Sequence, residues 1–258
     1  MQLIDTHCHL DFDEFEHDRE AVLQRSRANG LKAFVIPAVR RATWESLIAL
    51  SDQAQDIYYA LGLHPLFVDS HDPVHVTDLR RYLEDSQAVA VGEIGLDFSD
   101  KSLQFDKQIS LFEQQLKLAC DVGLPVILHV RKAHDEVLQR LKKFPVVGGI
   151  VHAFNGSFQQ AELYIQSHFK FGFGGMLTYA RSTKLRRLAR DLPMDAIVLE
   201  TDSPDMTVEQ HRGERNSPEY LIHCLHSLAE ERQMSEKEVA LQTTINASQV
   251  LGLKLSPS

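Results

Sequence analysis

Short apolar, β-branched runs alternate with longer stretches of amphipathic spacing along most of the chain. Eight runs read as strands, at residues 2–6, 32–37, 57–63, 88–93, 125–130, 146–152, 170–174 and 196–201. Between them the spacing turns helical; Ile109, Phe112, Leu116 and Ala119, for example, fall on one helical face. Gly123 stands where that helix needs a left-handed C-terminal residue. Ser235 followed by Glu238 has the form of a capping box opening the last helix. Strands that are apolar on both faces and separated by helices imply a parallel sheet covered on both sides. With no Pro/Gly/Ser-rich linker, repeat or low-complexity tract, residues 1–258 read as a single domain.

Two architectures satisfy this alternation, an open doubly wound sheet and a closed eight-stranded barrel. The positions of the metal-ligating residue types choose between them. His7 and His9 are two apart on the first strand and so share a face. Glu93 closes the fourth strand, His129 the fifth and His152 the sixth, and Asp202 follows the eighth. In a barrel the C-terminal strand ends meet in one mouth, whereas an open sheet would spread them along an edge too long for one site. The expected fold is therefore α/β, a single-domain TIM-type (β/α)8 barrel.

Composition changes this picture little. The chain is 43% hydrophobic and 24% charged, ordinary for a globular protein able to build a core without staples. Cys8, Cys120 and Cys224 are scattered, odd in number and form no CxxC pair, which fits a reducing cytosol. The N-terminus lacks the form of a secretory signal, and no apolar run is long enough to span a bilayer. The expectation is a cytoplasmic protein with no membrane association and no obligate protein partner. A net charge of −9 argues against sequence-independent adhesion to duplex nucleic acid. Bound divalent cations would reverse that sign locally, leaving a phosphate-bearing substrate compatible with the site.

Four imidazoles (His7, His9, His129, His152) and two carboxylates (Glu93, Asp202) suit one or two divalent ions, whether zinc, manganese, cobalt, nickel or magnesium. A carboxylate such as Glu93 can bridge two cations, which an imidazole cannot readily do. Two cations roughly 3.5–4 Å apart activate a water and stabilise the attacking and leaving oxygens of a displacement. Asp202 is placed to take the proton of that water while ligating one cation, so Asp202 and Glu93 are the catalytic candidates. Taken singly, each residue has an ordinary structural reading: a hydrogen-bonded strand-end His, a carboxylate at a helix N-terminus for Glu93, an N-cap for Asp202. Jointly, six such residues at alternating strand ends are hard to reach by chance, and burying Asp5, His7 and His9 on one face without a metal or pairing would be expensive.

The motifs in order are Asp5-Thr6-His7-Cys8-His9-Leu10, Gly62-Leu63-His64-Pro65, Gly92-Glu93-Ile94-Gly95-Leu96-Asp97, Pro125-Val126-Ile127-Leu128-His129-Val130-Arg131, His152-Ala153-Phe154-Asn155-Gly156, Leu199-Glu200-Thr201-Asp202-Ser203-Pro204 and Arg215-Asn216-Ser217-Pro218. In this ordered set the chain resembles the TatD-type metal-dependent deoxyribonucleases, within the amidohydrolase-like barrels. The resemblance implies that the six residues bind metal and that DNA phosphodiester bonds are hydrolysed, with DNA ends or single strands as substrate. Three stretches depart from the family pattern. Ala153 and Asn155 stand in a His-Cys-Phe-Ser-Gly motif, Asp205-Met206-Thr207 replaces a Phe/Tyr-Leu-Ala-Pro continuation, and Ser217 replaces the Glu of Arg-Asn-Glu-Pro.

Around the cluster, His64 is expected to face the mouth and hydrogen-bond a phosphate oxygen. Arg131 offers either a bidentate fork to phosphate or a salt bridge to a neighbour, and Arg215 is a weaker candidate of the same kind. Asp5 is placed to orient a ligand imidazole. Cys8 should pack outward, Trp44 should pack in the core, and the basic run from Lys184 to Arg190 reads as the solvated face of an outer helix. Residues 69–78, with His71 and His75, read as a polar surface loop. Three other functions are weighed: a metal-dependent amide, lactone or ester hydrolase, including one acting on an aminoacyl ester; a polymerase-and-histidinol-phosphatase type of phosphoesterase, which usually carries an Asp-x-His pair absent here; and a metal-storing module.

Overall fold

The structure, a computed structural model, describes residues 1–100 and 104–255. Eight parallel strands succeed one another in order: β1 (Leu3–Asp5), β2 (Leu31–Pro37), β3 (Ile57–Leu61), β4 (Ala90–Asp97), β5 (Val126–Arg131), β6 (Gly149–Val151), β7 (Phe169–Phe173) and β8 (Ile197–Leu199). Each pairs with the next. The ring is closed where the backbone N–H and the hydroxyl of Thr6 both donate to the Leu199 carbonyl, at 3.1 and 3.0 Å. This is the (β/α)8 barrel that the strand-end residues demanded.

The helices are α1 (Arg19–Ala28), α2 (Trp44–Asp52), α3 (Val74–Asp85), α4 (Phe105–Val122), α5 (His134–Lys143), α6 (Phe158–Gln166), α7 (Thr183–Asp191), α8 (Leu221–Arg232) and α9 (Glu236–Leu251). They form the outer layer. Alternation along β2 shows how the two cores divide: Phe34 and Ile36 pack into the layer beneath the helices, Ala33 and Val35 into the barrel interior. That interior is narrow and is filled by small or branched residues, Ile4, Ala60, Ala90, Ile127, Ile150 and Val198 among them. Ala247 and Leu251 of α9 join the same cluster, so α9 plugs the N-terminal end of the barrel. It is pinned there by Asn246, whose side-chain amide donates to the carbonyls of Met194 (2.9 Å) and Ile197 (2.7 Å), and by the Thr244 hydroxyl on the Gln2 carbonyl. The capping box at Ser235 and Glu238 and the left-handed Gly123 after α4 both form.

Most strand limits lie within a few residues of expectation. The largest difference is β4, which does not end at Glu93 but continues to Asp97. Residues 94–97 pair with 128–131 of β5 after a register irregularity between Val91 and Ile94. Gly95 permits this: its φ is +147°, and a Cβ there would lie 2.0 Å from the His129 carbonyl oxygen.

Candidate metal centre

β1 stops at Asp5, so His7 and His9 lie just beyond the strand rather than on it. Their convergence is fixed by the chain after β8. His9 N–H donates to the Ser203 carbonyl at 2.7 Å, and Asp202 N–H donates to the His7 carbonyl at 2.8 Å. Asp5 anchors this pair of segments from below. Its carboxylate accepts the Thr201 hydroxyl (2.6 Å), the Thr201 N–H (3.0 Å) and the His7 N–H (3.3 Å). It therefore orients backbone, not the imidazole expected from the sequence. Burial pushes the Asp5 carboxyl up to about 8, with the Thr201 hydroxyl and the backbone N–H groups holding it back.

Glu93 stands in the middle of the mouth, 2% exposed, its backbone N–H on the Ala38 carbonyl at 3.0 Å. One carboxylate oxygen, Oε2, lies 3.3 Å from His7 Nε2 and 3.8 Å from His9 Nε2. The other, Oε1, lies 3.1 Å from His129 Nδ1 and 3.2 Å from His152 Nε2. Asp202 Oδ1 completes the first set, 3.6 Å from His7 Nε2 and 3.7 Å from His9 Nε2. All six expected ligands thus gather around one carboxylate, in two sets that share it.

The donor chemistry fits divalent cations. Burial draws His7 down to about 4 and His9 to about 3, which keeps both as neutral, lone-pair-bearing imidazoles. Their Nε2 atoms face each other across 3.3 Å, while both Nδ1 atoms are buried without a hydrogen-bond partner among the described residues. Burial pushes the Asp202 carboxyl up to about 7 against the pull of His152. Burial also opposes ionisation of Glu93, but the surrounding His64, His7 and His152 hold it well below the usual carboxylate range. Converging acceptors of this kind, taken out of water, are costly unless a cation sits among them.

Two further carboxylates, neither of them expected from the sequence to act at the centre, support the ring of ligands. Asp97 Oδ2 lies 3.0 Å from His129 Nε2; with Nδ1 turned to the centre, the Nε2–H donates to Asp97. Glu200 Oε1 accepts the Ala153 N–H at 2.6 Å and lies 3.6 Å from His152 Nδ1. Gly172 makes room for it, since a Cβ there would be 1.8 Å from Glu200 Oε2. Asp97 had a signal in the sequence, being four residues past Glu93 and on the same side of an extended strand. Glu200, beside Asp202, had none apart from its place at a strand end.

His64 does reach the centre, with Nε2 3.4 Å from Glu93 Oε1. Its Nδ1 accepts the Leu66 N–H at 3.2 Å, so the neutral ring carries its proton on Nε2 and acts as a donor rather than a ligand. Arg131 is exposed at the end of β5 and makes no ion pair among the described residues, which removes the salt-bridge alternative. Arg215 is not brought to the cluster as a free fork. It grips both oxygens of Asp18 at 2.9 and 2.7 Å, stacks over Phe15 at 4.3 Å and donates to the Glu14 carbonyl. Cys8 is buried in the outer core and Trp44 is buried with Nε1 on the Gly62 carbonyl. His71 and His75 bond the His64 carbonyl and the Asp72 N–H. The basic run lies on α7, where Arg186 pairs with Glu231. No helix among the described residues is long and apolar enough to cross a membrane.

Comparison with known proteins shows the family and agrees with the fold. The family described as TatD related DNase matches residues 4–252. A relative from Escherichia coli K12, the uncharacterized metal-dependent hydrolase YjjV, is 41% identical over 253 residues, covering 97% of each chain. The 3'-5' ssDNA/RNA exonuclease TatD of Erwinia amylovora is 30% identical over 259 residues, covering 97% of this chain and all of its own. The crystal structure of YjjV superposes with a TM-score of 0.94 at 40% identity, covering 98% of each chain.

Proposed function

This chain belongs to the TatD-related DNase family and is a metal-dependent hydrolase, and from that premise we propose that it removes nucleotides from the ends of single-stranded DNA. The observation that carries the reading is the shared carboxylate. Glu93 offers one oxygen to His7 and His9 and the other to His129 and His152, as a bridge between two divalent ions would. Divalent ions held there polarise a phosphodiester and lower the pKa of an attacking water.

The chain's own groups then have defined work. His7, His9 and Asp202 would hold one divalent ion and His129 and His152 a second, with the Glu93 carboxylate available to both. Asp202, at the rim of the first set, accepts the proton of the attacking water through the carboxylate oxygen that the ligand set leaves over. His64 donates its Nε2–H to a non-bridging phosphate oxygen, and the Arg131 fork neutralises phosphate charge outside the ring of ligands. The exonuclease name of the Erwinia relative supports nucleic acid as substrate. Cys8, Cys120 and Cys224 are free thiols, which supports a cytoplasmic setting.

The test is a panel of 3'- and 5'-labelled single strands, duplexes and RNA offered to protein loaded with manganese, magnesium or zinc. Stepwise loss of nucleotides from single strands, abolished in Asp202→Asn, is the expected result. Folded, metal-loaded protein that cleaves no nucleic acid would overturn the substrate. The net charge of −9 favours one second reading, hydrolysis of a small-molecule or aminoacyl ester at the same centre. Preference for a nucleotide-free ester in the same panel would select it.

A further inference from the structure

Beside the ligand cluster lies a cavity of about 360 Å³, within the range of small-molecule sites. It is bounded by the residues after His152, the end of β7, the start of α7 and the loop after Asp202. Its walls are largely apolar, with Met176, Leu185 and Met206 among them, and Asn155, Arg181 and Lys184 supply polar groups, the Lys184 ammonium donating to the Asn155 carbonyl. The walls of the cavity are tied to the metal centre through the backbone. Ala153 comes directly after the ligand His152, and its N–H is held by Glu200. Met206 lies on the loop that leaves Asp202, and that loop is pinned by Gly175, where a Cβ would lie 2.1 Å from the Met206 carbonyl oxygen.

Three of the residues that depart from the family pattern line this cavity; Ser217, in the third departing stretch, lies elsewhere and bonds Glu219. Ala153 and Asn155 replace a Cys and a Ser, Met206 lies in the altered stretch after Ser-Pro, and all three line its wall. The six ligand positions keep the family's residues. Retaining the chemistry while altering the recognised group would gather change in one cavity and leave the neighbouring ligands untouched.

The wall chemistry points to one kind of occupant, a flat heteroaromatic ring attached to a phosphate. Met176 and Met206 bring two polarizable thioethers, which pack well against ring faces and tolerate rings of different size. Asn155 Oδ1 faces His134 Nε2 at 3.4 Å, which leaves its amide N–H groups as donors for a polar ring edge. Arg181 is exposed, stacks over Tyr179 at 5.2 Å and makes no ion pair among the described residues, so its fork is available to a phosphate. We infer that this cavity holds the base of the terminal nucleotide, with Arg181 on a neighbouring phosphate, and that its walls decide which strand ends are hydrolysed. The inference rests on the nuclease reading for its substrate, but its binding arm does not require turnover.

Two measurements test it. In the first, manganese-loaded protein is titrated calorimetrically with a deoxynucleoside 5'-monophosphate and with 2-deoxyribose 5-phosphate, which lacks the base. The nucleotide should bind about tenfold more tightly or better, in line with the stacking of one base. Met176→Trp and Leu185→Trp, each filling the cavity, should bring the ratio to about one, with thermal unfolding confirming that both variants fold. In the second, oligonucleotides ending in a normal or an abasic nucleotide are compared. The normal end should have the higher kcat/KM, Met176→Trp should erase the difference, and Arg181→Ala should raise KM for both ends.

Equal affinity for the nucleotide and the base-free sugar phosphate would overturn the base subsite, as would a ratio unchanged by both tryptophans. Cleavage of DNA with no preference for a base-bearing end would overturn it while leaving the nuclease intact. Base-dependent binding without cleavage of any nucleic acid would do the reverse, supporting the subsite and removing the nuclease. Occupation of the cavity by the acyl group of a nucleotide-free ester, in competition with the nucleotide, would also count against it.

Discussion

His129 and Asp97 are joined through Nε2 and Oδ2 at 3.0 Å, so that the imidazole spans from the central carboxylate to a second, fully buried one. Burial alone would favour a neutral Asp97. Hydrogen bonds from His129 and from Ser99 instead hold its carboxyl well below the ordinary value. The same contact holds His129 above its ordinary value against the effect of burial. An anionic partner fixes the ring orientation and makes its inward nitrogen a better donor to a cation. Asp97→Asn should therefore weaken divalent-ion affinity about 10–100-fold. Competition against a metallochromic chelator measures it, and unchanged affinity would show that the contact does not act on the site.

Gly95 lies where β4 crosses His129. An alanine there combines an unfavourable φ of +147° with a Cβ 2.0 Å from a backbone oxygen. Strain and overpacking together should cost about 3 kcal/mol or more. Urea denaturation reads this directly; a loss under about 1 kcal/mol would mean that β4 relaxes without cost.

Arg131 and Arg215 should separate cleanly. Arg131→Ala removes a cation that no carboxylate engages among the described residues, so KM for an oligonucleotide should rise about tenfold with stability unchanged. Arg215→Ala breaks a partly exposed pair with Asp18 together with the stacking over Phe15, costing about 1–2 kcal/mol and leaving KM alone. The opposite pattern would return Arg215 to the substrate.

His134 supplies a pH dependence away from the ligands. Burial lowers its pKa from 6.5, with Asn155 opposing the shift. The unfolded chain therefore binds a proton more readily than the folded one, and stability falls as pH drops below about 6.5. His134→Gln removes this contribution, while the other imidazoles remain common to both proteins. The wild type should lose more stability than the variant between pH 7.5 and 5.5 in parallel denaturant titrations. Parallel curves would exclude the effect.

The fold was legible because parallel strands buried on both faces leave unbroken apolar runs, and because caps such as Ser235 with Glu238 are local in sequence. The six ligands were legible for a related reason, since strand ends in a barrel share one mouth. The rest was hidden by distance. The partner of Arg215 is Asp18, near the other end of the chain, and Glu200 acquires its role only when β6 and β8 bring it beside His152. The true end of β4 was hidden because the pass of Gly95 against the His129 backbone exists only once β4 and β5 lie side by side.

The plug formed by α9 makes the floor of the barrel depend on contacts that span almost the whole sequence. Its anchors are the Gln2 carbonyl at the start of β1 and the Met194 and Ile197 carbonyls before and within β8. The floor beneath the ligands therefore forms only once residues as distant in sequence as Gln2 and Thr244 have met, which makes it a long-range, slowly assembled part of the fold.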